Sequence, residues 1–130
     1  MKTQVAFRSS TFPPYEGEEE QINPGLWGKR LAEYLVPKLA ERGIQTEEMV
    51  AEDWGCYIPV RNEEFRLALC CGHQNGDDDE FLCFTDPQTP VVKKLFKKID
   101  ATPQLTRLTE ALQQILAADP EIQEVVWSEP

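Results

Sequence analysis

The sequence predicts an α+β fold, with an antiparallel or mixed sheet of about five to six strands and three helices packed mainly on one face. The expected order is β-α-β-β-β-β-α-α-β. Three observations carry this expectation. Phe65, Leu67, Leu69 and Cys71 alternate with Arg66, Ala68 and Cys70, the two-residue period of a strand whose faces differ. Apolar residues recur at helical spacing in three other stretches, each opened by a capping residue and a proline: Asn23-Pro24, Thr89-Pro90 and Thr102-Pro103. The strand-like runs are grouped rather than alternated with helices, which disfavours a doubly wound α/β fold.

Taken in order, Thr3 to Phe7 reads as a short strand. Residues 9–22 hold two prolines, a glycine and four glutamates, and read as a mobile acidic loop. Trp27, Leu31, Tyr34, Leu35 and Leu39 form the apolar stripe of the first helix, which Gly43 stops. Pro37 predicts a kink or a break near Val36, because an interior proline loses one hydrogen bond and crowds the preceding turn. Ile44 to Ala51 and Tyr57 to Val60 read as strands, the second at an edge or bulge because of Pro59. Phe81-Leu82-Cys83-Phe84 is apolar at successive positions, as in a central strand covered on both faces. Val91, Val92, Leu95, Phe96 and Ile99 then predict a second helix. Its lysines, Lys93, Lys94, Lys97 and Lys98, lie on one stripe. Leu105, Leu108, Leu112, Ile115 and Leu116 predict a third, and Ile122 to Trp127 a last strand beside the first.

The 130 residues suit a single globular domain, 1–130, and the 41% hydrophobic content suffices for a core. Lys and Arg total 13 against 23 Asp and Glu, a formal charge of -10. That balance argues against nucleic acid, whose binding needs cations to displace phosphate counterions, and against an anionic membrane. It permits a basic protein partner. No apolar run approaches the ~20 residues of a membrane span. The N-terminus has no secretory pattern, so a cytoplasmic location is expected. Outside residues 91–100, nine basic residues face 22 acidic ones, so charge is strongly polarised. A homo-oligomer, in which the lysines meet an acidic face of a second copy, is a further expectation.

Cys56, Cys70, Cys71 and Cys83 form no C-x-x-C pair, and His73 is the sole histidine, so no structural metal site and no cofactor are expected. The thiols read as small buried hydrophobes. His73 with Asp77, Asp78, Asp79 and Glu80 lacks the spacing of a calcium loop and reads as an acidic solvated turn. Lys29 and Arg30 at a helix start offer a place for an anion, against which stands simple packing of Gly28 on the sheet. No catalytic residue is assigned. Neither a G-x-S-x-G nor an H-E-x-x-H motif occurs, and a Cys–His pair would have to come from His73 with Cys70 or Cys71.

Glu52, Asp53, Trp54 and Tyr57 are the expected contact patch. Two carboxylates attract a cation, while an indole supplies apolar area and one N–H donor. The same segment also fits a tight turn in which Trp54 plugs the sheet edge. Trp27, Tyr34 and Trp54 are the candidates to line a pocket between helices and sheet.

Asn23-Pro24-Gly25-Leu26-Trp27-Gly28, Glu52-Asp53-Trp54-Gly55, Phe81-Leu82-Cys83-Phe84 and Lys97-Lys98-Ile99-Asp100 together resemble a family of small, uncharacterised bacterial proteins, over residues 23–127. The resemblance implies no activity, substrate or catalytic residue. The functional expectation therefore rests on charge and aromatics. It is a small acidic binding module, of the immunity or adaptor kind, for a basic protein. The alternative is a small-ligand protein or enzyme with its pocket between helices and sheet.

Overall fold

The alternation near residue 67 does produce a strand, and the rest of the sheet is built outward from it. The computed structural model describes residues 1–18, 26–73 and 77–130. Its strands and helices are β1 (Gln4–Arg8), α1 (Lys29–Glu41), β2 (Val50–Glu52), β3 (Gly55–Val60), β4 (Leu67–His73), β5 (Glu80–Asp86), β6 (Val91–Lys94), β7 (Lys97–Asp100), α2 (Thr102–Ala118) and β8 (Gln123–Ser128). Six strands form one antiparallel sheet in the order β2-β3-β4-β5-β1-β8, and β6 and β7 form a separate hairpin. The terminal strand lies beside the first, as expected.

Alternate residues face the two helices. Cys56, Ile58 and Val60, Leu67, Leu69 and Cys71, Phe81 and Cys83, and Val5 and Phe7 join Leu31, Leu35 and Leu39 of α1 and Leu105, Leu108, Leu112 and Ile115 of α2 in one core. Neither described helix packs on the opposite face. There β5 departs from expectation: Phe81 and Cys83 are buried, but Leu82 and Phe84 are only half-buried. The strand is central, yet covered fully on one side only.

Two helices form among the described residues, not three. The segment expected as the second helix is the β6–β7 hairpin, with Val92 opposite Ile99, Lys93 opposite Lys98 and Lys94 opposite Lys97. Its turn is Leu95-Phe96, and Leu95 has φ +43°. A left-handed first turn position matches the twist of a two-residue hairpin, but a bulky L-residue there costs about 1–2 kcal/mol.

Helix α1 starts at Lys29, later than Asn23-Pro24 would place it, and those two residues lie outside the described ones. It runs through Pro37 without a break, the proline leaving the Glu33 carbonyl without its helical donor. Its end is the one Gly43 predicts. With φ +78°, Gly43 donates to Ala40 O and Ile44 to Leu39 O, both at 3.0 Å, closing the last turn. At the start of α2 Thr102 is the first helical residue rather than the cap, Ala101 holds the cap position, and Asp100 Oδ1, one residue before it, accepts the Thr102 N–H at 2.9 Å. The expected strand over Ile44 to Ala51 shrinks to β2 and one isolated bridge, Thr46 with Val60. That shortness accommodates Pro59, which lies past the reach of β2 and needs to donate no ladder bond there.

Candidate functional site

Strand register assembles the open face. Val50 of β2 stands beside Tyr57 of β3, Tyr57 beside Cys70 of β4, and Cys70 beside Phe84 of β5. Glu52 shares the side of Val50, two residues along β2. Asp53-Trp54 is the tight turn between β2 and β3, and the Trp54 ring packs on Phe84, with centroids 5.7 Å apart. Tyr57 Oη donates to Asp86 Oδ2 at 3.2 Å. The result is a continuous apolar row of Val50, Tyr57, Trp54 and Phe84, rimmed by the carboxylates of Glu52, Asp53 and Asp86. Glu52 and Asp53 are exposed, and Trp54 and Tyr57 half-buried.

The expected contact residues therefore lie together. Phe84 and Asp86 belong with them and were not anticipated, since only strand pairing sets them beside Tyr57. Burial, reinforced by the Asp86 carboxylate, raises the Tyr57 phenol above its ordinary value, while Arg66 acts in the opposite sense. Tyr57 is a neutral hydrogen-bonding group on this face. Cys70 lies beneath Tyr57 and Phe84, and burial pushes its thiol up to about 12.

Of the three candidate pocket residues, Trp27 and Tyr34 meet Phe12 on the helix side, and Trp54 packs on Phe84 on the other face. Trp27 is buried on the helix side, stacked on His73 with centroids 3.7 Å apart, and its indole N–H donates to Phe12 O at 3.0 Å. Tyr34 packs on Phe12 and donates to Asp119 Oδ2 at 2.7 Å. Trp54 sits on the opposite face with Phe84.

The start of α1 already holds an anion, supplied by the chain. Glu18, 7% exposed, accepts the N–H groups of Gly28 (3.0 Å) and Lys29 (3.1 Å) through Oε2, and that of Tyr15 (2.9 Å) through Oε1. A carboxylate at free helical N–H groups completes the bonds that Gly28, which has no side chain, cannot make. Gly28 stands against the sheet so closely that a Cβ there would lie 2.6 Å from Cys71 O, the close packing anticipated for it. Lys29 and Arg30 turn to the Tyr15 ring instead, at 5.4 and 4.0 Å from its centroid.

The acidic run after β4 is likewise engaged. Arg8 reaches Asp77 (3.1 Å), Asp79 (2.8 Å) and Glu80 (2.5 Å), and Glu124 at 2.6 Å. His73 is buried rather than solvated, with Nε2 2.8 Å from Asp77 O. All four cysteines are free and buried. Cys56, Cys71 and Cys83 are direct neighbours across three strands on the core face. Burial raises the Cys56 thiol to about 12, and the Cys71 thiol, hydrogen-bonded with the Cys83 thiol and fully enclosed, stands well above its ordinary value. Nucleophilic chemistry needs a thiolate, which these sites disfavour. Among the described residues no three His, Cys, Asp or Glu side chains are grouped to hold a metal ion. None of the described helices is long and apolar enough to cross a membrane.

A small cavity of about 180 Å³ lies between α2 and the ends of β3 and β4, away from the expected pocket residues. Arg61 and Arg107 line it, with Ile44, Leu67 and Leu108 on its apolar side. Gln104, also on its wall, has a buried Oε1 with no hydrogen-bond partner.

Fold and site together define a two-layer α+β protein with one helix-free, acid-rimmed aromatic sheet face. The chain matches no protein-family model, no curated protein and no solved structure.

Proposed function

We propose that the open face of the sheet docks a basic protein, which makes this chain a non-enzymatic binding module of the immunity or adaptor kind. One observation supports this reading above the others: strand register gathers Trp54, Tyr57 and Phe84 into an apolar row rimmed by Glu52, Asp53 and Asp86. Aromatic side chains anchor an interface by burying area, and the surrounding carboxylates select and steer a cationic surface. The burial of every thiol agrees with a role that needs no reactive centre.

Capture of interacting proteins on wild-type and Asp53→Lys protein tests this. The expected result is a basic protein held by the wild type and weakened about tenfold by the reversal, chiefly through slower association. Equal capture by both proteins would remove the patch from the account. A second reading rests on the cavity at Arg61 and Arg107, where two guanidinium groups suit a small carboxylate and the unpaired Gln104 Oε1 accepts from a hydroxyl or amino group on the same molecule. A thermal shift of several degrees with small carboxylic acids, lost in Arg107→Gln, would favour that reading instead.

A further inference from the structure

The β6–β7 hairpin is the least economical part of the surface. Leu95 and Phe96 at its tip are 99% and 103% exposed. Lys93 faces Lys98 and Lys94 faces Lys97, so like charges stand directly opposite, a locally repulsive arrangement. Leu95 holds a left-handed backbone that leucine disfavours. Among the described residues none of the four lysines has an ion-pair partner. Local rules broken together at one exposed element point to binding.

We infer that this hairpin docks end-on into an anionic lipid surface. The direction of the side chains favours this occupant. Lys93 and Lys98 lie on one face of the ribbon, Lys94 and Lys97 on the other, and the two apolar side chains lie at its end. The lysines thus form a collar around an apolar plug. A groove or a flat partner would meet one face of the ribbon. A leaflet of anionic lipids surrounds an inserted tip with headgroups on every side and offers hydrocarbon beyond them.

The net charge of -10 opposes approach of the molecule as a whole, but distance reduces that opposition. Only Val92 and Ile99 of the hairpin pack on the body, and residues 93–98 are all exposed. Three residues per strand extend about 10 Å, at ~3.3 Å each. That exceeds the ~8 Å over which salt screens charge at physiological ionic strength.

Flotation of the full-length protein with phosphatidylcholine vesicles, with and without phosphatidylserine, tests the inference. The expected result is binding only when phosphatidylserine is present. Two double variants, Leu95→Ser with Phe96→Ser and Lys94→Glu with Lys97→Glu, should each weaken it about tenfold or more, with circular dichroism unchanged. No binding to either vesicle, equal binding to both, or binding that survives both variants would overturn it. So would a tip-dependent dimer in sedimentation, which assigns the hairpin to a second copy, or tip-dependent retention on nucleic acid.

Discussion

Glu18 is one residue among four glutamates in an acidic stretch, and nothing in its spacing sets it apart. Its position does: a buried carboxylate that joins the loop to the first turn of α1 through three backbone N–H groups. Hydrogen bonds to a charged acceptor contribute more than neutral ones. Glu18→Gln keeps the shape and removes the charge, so it should lower stability by about 1–2 kcal/mol in urea denaturation, near the upper range for a lost cap. A loss below a few tenths would mean that the carboxylate contributes little. The thiols give a second residue-scale expectation. In the folded chain Cys56 and Cys70 titrate near 12 rather than at 9.0. The unfolded chain therefore loses these protons first as pH rises. Their contribution is complete below about pH 9 and declines from there towards about pH 12. Denaturation curves across that range should fall, and should fall less steeply when both cysteines are alanine, with Cys71 and Tyr57 supplying the remaining slope. A wild-type curve as flat as the variant's would contradict the burial assigned to them.

At the scale of elements, β1, β3, β4, β5 and β8, the last helix and the Gly43 stop were readable because each rests on local chemistry: apolar runs of β-formers, a helical stripe, a left-handed glycine. The hairpin was not readable for a geometric reason. In a helix residues 92 and 99 share a face seven positions apart, and in a hairpin turning at 95–96 the same two residues are cross-strand partners. Periodicity cannot distinguish them, and the turn lacks the Asn-Gly or Gly residues that announce such a hairpin. The grouping of Glu52-Asp53-Trp54 with Tyr57 was legible because these residues are near in sequence. Phe84 and Asp86 joined it only through the β3–β4–β5 pairing, a long-range fact with no local trace. Trp27 and Tyr34 share the helix side and Trp54 the open face, a division that only the pairing of the strands decides. Relief of the turn supplies the prediction at this scale. Leu95→Asn suits the positive φ and should raise stability by about 0.5–1 kcal/mol, measured by thermal or urea unfolding. Unchanged or reduced stability would show that the turn holds no such strain.

For the whole molecule, the main property is separation of charge. Residues 91–100 carry four lysines and one aspartate, and the rest of the chain carries nine basic against 22 acidic residues. The basic group is confined to one projecting ribbon, while an aromatic row with an acidic rim occupies the uncovered sheet face. A peripheral adaptor would use both, the ribbon meeting lipid and the face holding a cationic protein. Core packing supports the sheet from the helix side, so a partner proposed for the open face would meet strands already paired. The most direct test of that face is a photo-reactive phenylalanine analogue at position 84, activated in cells that contain the natural partners. The account predicts adducts with a protein of net positive charge, in yields that fall as salt rises in a lysate. Adducts dominated by acidic proteins, or yields indifferent to salt, would contradict it.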